Sequence, residues 1–517
     1  MNKRLVLLIL LFLFFTSFFL RSFLLPQNLF LGPEQGLDLL VVKRLVLNHK
    51  LTLIGAKTDI DGVFHGPLYY YLAAIPFLLS HGDPLIISFF FIALNCLTVF
   101  FLYGLGKQIS SRRVGIIAAV LFTVSWNCIV YSRWLSDQPL SIPFSALFFL
   151  CLYRFLRGSR RDLLFAAIAF GLLTQSEFLN ILFFYVITIV LVLLFLPRFT
   201  KQSKGYLVFC GLVAVGISIG TYILFDLKHQ FLMTKSILSL ASGTKGYHIN
   251  FLQAFLQTVS AFSNAFANTV FPVWYPGACI FLFVAILLLL QNILFKKMFG
   301  DSLRFFAITQ NDVVSSLKSL KKSILLPLLL WLCIPPFILI ILRHSILDQF
   351  FVGLLPVFIL VLALLIELFW QKSRIFGIIL LICLIGGNVS MWVMTIPQNK
   401  QLFFQSTQPD LRYSDELSSI DTIYHQANGK PFAFQAYTIP YWEQQGWDYL
   451  FWSYGQKKYG YLPVAEKARI LFVIIQSDPS NKRFQQDWLK NTVSKWGSLQ
   501  KTFRHGVLTI EELKVRR

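Results

Sequence analysis

"LVLLILLFLFFTSFFLRSFLLPQNLFLGPEQGLD", residues 5–38, decides how the rest of the chain is read. Its first part, 5–25, is an apolar run of spanning length, since a bilayer core takes about 20 residues of helix. Lys3 and Arg4 precede it, and no small-x-small cleavage site follows, so it reads as a retained first helix rather than a signal peptide. Two carboxylates, Glu34 and Asp38, then stand just past its end, one turn apart if that segment is helical. Either they are solvated surface charges or they form the acidic end of a site.

The whole chain agrees with the first run. Its 517 residues are 56% apolar and only 14% charged, with a mean hydropathy of +0.66. A soluble domain of that length would have too little polar surface to face water. The 54 phenylalanines suit lipid-facing helices. The expected fold is therefore a polytopic α-helical membrane protein. Apolar runs fall near 5–25, 85–106, 114–132, 139–156, 162–176, 178–197, 205–225, 272–295, 323–342, 346–369 and 375–396, which makes about eleven transmembrane helices. The fifth and sixth are almost fused at "LLTQSEFLN", where a tight turn or a re-entrant pair is expected.

A net charge of +22 raises the question of nucleic acid. The basic residues instead cluster in alternate short connections, as the positive-inside rule requires, and no nucleic-acid partner is expected. With the N-terminus cytoplasmic, Arg112 and Arg113, Arg154 to Arg161, Arg198 to Lys204, Lys296 to Lys322, and Lys372 and Arg374 all fall on the inner side. The seven cysteines are scattered singly, with no CxxC, so neither a disulfide framework nor a thiolate metal site is indicated.

Two regions follow: a membrane domain, 1–396, with a first outer loop at about 26–84, and an extracytoplasmic segment, 397–517, of ordinary soluble composition. A second outer segment is expected at about 226–270. The C-terminal segment reads as extended "KPFAFQAYTIP", helical "WDYLFWSYGQKKYG", extended "ARILFVIIQSD", helical "FQQDWLKNTVSKWG" and a strand "GVLTIEELKV". That is a small α/β domain beyond the membrane.

Ionisable residues inside spans are costly and usually functional, and here the mid-span regions are nearly free of them. Glu367, beside Trp370 and Lys372 near an inner helix end, reads as a snorkelling partner. Carboxylates gather at outer helix ends instead: Glu34, Asp38, Asp137, Glu177 and Asp226. At that depth a carboxylate can deprotonate an acceptor hydroxyl as general base while cations face the phosphate of a lipid-linked donor. Arg133, His65, Lys57, Lys228 and His229 are candidates for donor phosphate binding, and each is also explained as an interfacial anchor. The stretch "TDIDGVFHGPLYYYL" carries Asp59 and Asp61, an Asp-x-Asp pair able to hold a divalent cation such as Mg or Mn, or simply to form a turn.

Taken together, the retained first helix, the acidic outer loop, "HGPLYYYL" and "YSRWLSDQPLSIPFSALFFLCLYRFLR" resemble the GT-C glycosyltransferases. More narrowly they resemble the protein O-mannosyltransferase and aminoarabinose transferase-like family, over roughly residues 1–230. The resemblance implies a GT-C type fold and an inverting transfer of sugar from a polyprenyl-phosphate carrier to a glycan, lipid or protein acceptor at the outer face. The family's first-loop Asp-Glu pair corresponds to Glu34 and Gln35, with Leu37 where an Arg is expected. Its Lys-Pro-Pro-Leu-Tyr-Tyr motif corresponds to His65-Gly66-Pro67-Leu68-Tyr69-Tyr70, and its second-loop acid to Asp137. The resemblance thus implies Glu34 as base, Asp38 as a second candidate, and Asp137 as an assisting group. A lipid transporter or flippase and a surface-polysaccharide polymerase or ligase are the other classes. The first should show inverted repeats and midplane polar sites, and the second should rely on basic residues in a large outer loop.

Overall fold

The computed structural model describes residues 2–241, 249–280, 325–343, 346–399, 411–439, 443–464 and 468–515. Six of its helices are long and apolar enough to cross a membrane: Lys3–Asn28, Pro84–Ile109, Gln138–Leu156, Lys204–Lys228, Asp348–Lys372 and Arg374–Thr395. A bent pair, Arg112–Val124 and Trp126–Ser132, makes a seventh. Helices Leu68–Ser80, Phe178–Leu194 and Leu326–Leu342 are apolar but shorter, and Arg161–Gln175 has 15 residues. The expected count of about eleven is therefore not reached among the described residues. Most of the run 272–295 and the inner connection Lys296 to Lys322 lie outside them.

One helix was not legible as part of this body. Phe251–Val270 falls within the segment expected outside the membrane. Gln, Ser, Asn and Thr interrupt its sequence, so no continuous apolar run shows. Its apolar face nevertheless packs inward, Phe262 edge-on to Phe351 and Phe358 and Phe266 edge-on to Phe358.

The bent pair shows how an apolar body tolerates a broken helix. Its two halves meet at 59°, which frees backbone groups that lipid cannot satisfy. Arg21, fully buried, donates to the carbonyls of Phe122 and Thr123 at 3.0 and 3.1 Å. Asn388 Oδ1 accepts the N–H of Trp126 at 2.9 Å, and Ser125 Oγ donates to the Thr269 carbonyl at 2.8 Å. Glu367 accepts from Arg113 at 3.4 Å. The break throws the chain into the connection that carries Arg133 and Asp137.

The C-terminal part holds a four-stranded sheet in the order β1-β2-β4-β3, from β1 (Phe432–Tyr437), β2 (Ile470–Gln476), β3 (Gly497–His505) and β4 (Leu508–Val515). β1 and β2 are parallel, and the other two pairings are antiparallel. Both faces of the central β2 are buried. Phe472 and Ile474 join the core beneath helix Tyr413–Ala427, while Leu471, Val473 and Ile475 pack with Val493 and Leu513. β3 was not anticipated, because "GSLQKTFRH" is mostly exposed and polar and lacks the apolar alternation of a half-buried strand.

Sheet and helical body meet at helix Pro33–Leu47. A Cβ placed on Gly36 would overlap the backbone of Gly446, so the two backbone segments touch where neither has a side chain. Beside this contact Trp452 stacks on Phe77 with centroids 5.8 Å apart, and the Tyr449 hydroxyl donates to the Gly82 carbonyl at 2.6 Å.

Candidate active site

Four segments deliver charged side chains to one end of the helical body. Helix Pro33–Leu47 begins after Gly32 with Pro33 in its first turn, a position that tolerates the missing N–H. It places Glu34 at its exposed start and Asp38, one turn on, in the interior. Residues 55–65 fold back on themselves, with Gly55 N–H bonded to the His65 carbonyl and His65 N–H to that of Ala56. Gly62, at φ +81°, makes the reversal. This hairpin carries His65 inward. The third segment ends at Asp137, before the short turn Gln138–Leu140. The fourth is the two-residue link Ser176-Glu177 between helices Arg161–Gln175 and Phe178–Leu194, the tight turn expected at "LLTQSEFLN".

The polar contacts are few and specific. Asp38 Oδ1 accepts a 2.7 Å hydrogen bond from the Tyr70 hydroxyl. His65 Nδ1 lies 3.7 Å from Asp137 Oδ2 and 3.6 Å from Glu177 Oε1. The same nitrogen accepts the N–H of Phe178 at 3.2 Å, which assigns the neutral ring its Nε2–H tautomer. Asp137 Oδ2 and Glu177 Oε2 are buried without a hydrogen-bond donor among the described residues. Glu34 accepts no hydrogen bond from any described residue, and the residue is exposed.

This crowding sets the protonation. Burial raises the pKa of Asp38 to about 8, Asp137's charge adds to it, and the Tyr70 hydrogen bond pulls the other way. Burial also raises Glu177 to about 7, against the opposing pull of His65. Asp137 moves up for the same reason. Glu34 rises through partial desolvation and the nearby charges of Asp137 and Glu443, although its edge is open to water. For His65, burial disfavours the cation, but Asp137, Glu177 and Asp38 outweigh it and the net shift is upward. The Phe178 N–H competes for Nδ1 with any proton there, so the carboxylates share the retained protons with the ring. At neutral pH the cluster holds protons that ordinary carboxyls would have lost.

Of the residues picked from the sequence, the structure brings together Glu34, Asp38, His65 and Asp137, and adds Glu177, Tyr70 and, through its charge on Glu34, Glu443. The others lie differently. Arg133 is buried and spends Nη1 on the carbonyls of Arg21 and Phe23, at 2.7 and 2.8 Å. It closes the end of the helical segment Lys3–Ser22, the first part of that span, while its Nε and Nη2 have no partner among the described residues. Lys57, Lys228 and His229 are exposed, and His229 Nδ1 contacts the Phe225 carbonyl at 2.8 Å. Asp226 accepts from the N–H groups of Met233 and Thr234 at 2.8 and 3.0 Å, at the start of helix Leu232–Ala241. Asp59 and Asp61 are exposed in the hairpin turn, though the charge of Asp59 reaches His65 and Glu177. Among the described residues no group of three or more His, Cys, Asp and Glu side chains has metal-holding geometry. Signals for the missed residues were in hand: Glu177 stands among the outer carboxylates, and Tyr70 is one of three consecutive tyrosines.

A cavity of about 520 Å³ adjoins the cluster, with Glu177 on its wall and Leu182, Tyr185, Ile219, Tyr222 and Ile223 among its mostly apolar lining.

The sequence model of the family described as dolichyl-phosphate-mannose-protein mannosyltransferase matches residues 64–221, which include His65, Asp137 and Glu177 but not Glu34 or Asp38. No curated protein matches the chain. Among solved structures, ArnT from Cupriavidus metallidurans in the apo state aligns over 98% of this chain and 97% of its own, at 8% identity and a TM-score of 0.56. The same protein bound to undecaprenyl phosphate aligns over the same shares at 8% identity and a TM-score of 0.54. At such identity the likeness is one of fold, and it extends over nearly the whole length. The likeness to that mannosyltransferase family is thus one of sequence over 64–221, and the likeness to ArnT, over nearly the whole length, is one of fold.

Proposed function

We propose that this protein is an inverting glycosyltransferase that moves a sugar from a polyprenyl-phosphate carrier to an acceptor hydroxyl of a glycan, lipid or protein. The observation that carries the proposal is the convergence of Glu34, Asp38, His65 and Asp137 on Glu177, which stands on the wall of an apolar cavity of about 520 Å³. The fold supports it, since one matching structure holds undecaprenyl phosphate. The reaction site belongs to the outer face, with the N-terminus cytoplasmic and the sheet outside, because the basic connections lie at the opposite helix ends.

Glu34 takes the acceptor proton. It is the accessible carboxylate of the cluster, whereas Asp38 is held by Tyr70 and keeps its own proton near neutrality. The acceptor oxygen attacks the anomeric carbon from the side opposite the phosphate. The new C–O bond forms as the bond to the carrier phosphate breaks, and polyprenyl phosphate leaves with the bonding pair. His65, 3.7 Å from Asp137 and 3.6 Å from Glu177, is the basic side chain of the cluster, and in its protonated form it supplies positive charge for the departing phosphate. Asp137 and Glu177 hold that ring and favour its charge. The prenyl chain occupies the apolar cavity.

The test is incubation of purified protein with polyprenyl-phosphate sugars and candidate acceptors, with the anomeric configuration of the product read by NMR. Inversion is expected. A retained configuration, or movement of the lipid across the bilayer without transfer, contradicts the proposal.

A further inference from the structure

A second concavity, of about 230 Å³, lies away from the acidic cluster, between helices Pro33–Leu47 and Leu68–Ser80 and the helix that begins at Gln445. Its walls are Leu47, Phe77, Leu78 and Trp452, with His81 and Lys457 at the edge. No carboxylate lines it. Lys43 stands over the Trp452 ring, 4.2 Å from its centroid. Neither Lys43, His81 nor Lys457 has an acidic partner within 4 Å among the described residues. The adjacent Lys458, in contrast, is paired with Asp421 at 2.9 Å.

Position in the fold says what meets this basic edge. Helix Leu68–Ser80 ends at His81 and Gly82, both with positive φ, and Pro84 starts a 26-residue apolar span, Pro84–Ile109. The groove therefore opens at the level where a spanning helix leaves the hydrocarbon. The apolar side chains around it are bare: Leu47 is 54% exposed, Leu78 62% and Leu79 81%. Trp beside Lys at such a level is the pairing of a headgroup zone, with an apolar body below and a charged tip above.

We infer that this groove binds one phospholipid with an anionic headgroup, its phosphate held among Lys43, His81 and Lys457 and its acyl chains laid over Leu47 and Leu78. The bound lipid bridges helix Pro33–Leu47, which carries Glu34, to the C-terminal part through Trp452 and Lys457. The inference is independent of glycosyl transfer and of which end of the chain is cytoplasmic.

Native mass spectrometry of the full chain, released from nanodiscs of equal phosphatidylglycerol and phosphatidylcholine, tests it. The wild type is expected to retain one phosphatidylglycerol in preference to phosphatidylcholine. Lys43→Gln with Lys457→Gln should weaken that retention about tenfold or more, two surface cations being removed from an anionic headgroup. Lys458→Gln should retain it, as should Lys43→Arg with Lys457→Arg, which keeps both charges and shows that a loss in the Gln pair is not misfolding. Equal retention of the two lipids by the wild type, undiminished retention by the Gln pair, or loss in the Arg pair equal to that in the Gln pair would overturn the inference. So would displacement of the lipid by millimolar inorganic phosphate, which would make this a site for free phosphate.

Discussion

The Tyr70 hydroxyl donates a 2.7 Å hydrogen bond to Asp38 Oδ1, tying the second tyrosine of "LYYYL" to the helix that starts with Glu34. Two sequence motifs 32 residues apart thus form one buried contact. Tyr70→Phe leaves Asp38 without this donor and is expected to cost about 1 kcal/mol of stability. Because the bond favours ionised Asp38, its loss should move the Asp38 pKa higher still, which NMR titration of the carboxyl would show. An unchanged or lowered value would contradict the contact.

Asp38 also sets a pH dependence. Its pKa is about 8 in the fold, against about 4 for an unfolded aspartate. The folded chain therefore holds this proton more tightly than the unfolded one. The stabilisation is complete below about pH 4 and is lost as pH rises through about 8. The apparent melting temperature should fall from pH 5 to pH 8, and Asp38→Asn should flatten the fall and melt above wild type at pH 8. A variant that melts below wild type at that pH would show that the fold favours ionised Asp38, with a pKa below that of an unfolded aspartate.

Gly36 gives a purely steric prediction. Gly→Ala in a helix ordinarily gains about 1 kcal/mol. Here the added Cβ meets the Gly446 backbone, and overpacking costs about 1–3 kcal/mol. Gly36→Ala should lower both the melting temperature and transfer activity, since the helix that is pushed away carries Glu34. A more stable variant would mean that the two backbones do not touch.

The cavity beside Glu177 makes a prediction about chain length. Ile219→Trp fills part of its 520 Å³, so the KM for a long-chain polyprenyl donor should rise about tenfold, as expected when a well-filled pocket loses favourable burial. A short-chain donor should be turned over nearly as before. Equal effects on both donors would place the prenyl chain elsewhere.

Much of this was legible from residue order. The carboxylates Glu34 and Asp38, the motif His65 to Tyr70, and Asp137 beyond the run 114–132 each carry a local signal, and the fold brings them together; the break within that run carried none. What was not legible depends on packing. Glu177 gains its place only because a two-residue link turns it toward His65. Arg133 looked like a free cation, but the carbonyls left bare at the end of the first helix take it. The helix Phe251–Val270 and strand β3 escaped because polar residues mask an apolar face in one and cover an exposed edge in the other. The contact between Gly36 and Gly446 leaves no pattern at all, since it consists of two missing side chains.

The central claim is that Glu34 is the base. It is tested most directly by the transfer rate of labelled sugar from a polyprenyl-phosphate donor, comparing purified wild type with Glu34→Gln, Asp38→Asn and Asp137→Asn. Removing a general base costs about a hundredfold to ten-thousandfold. Glu34→Gln should therefore lose at least about a hundredfold in kcat with donor KM little changed and the melting temperature intact, because Glu34 makes no hydrogen bond with any described residue. Full activity in Glu34→Gln, with the loss found in Asp38→Asn instead, would contradict the assignment, and full activity in all three would contradict the site.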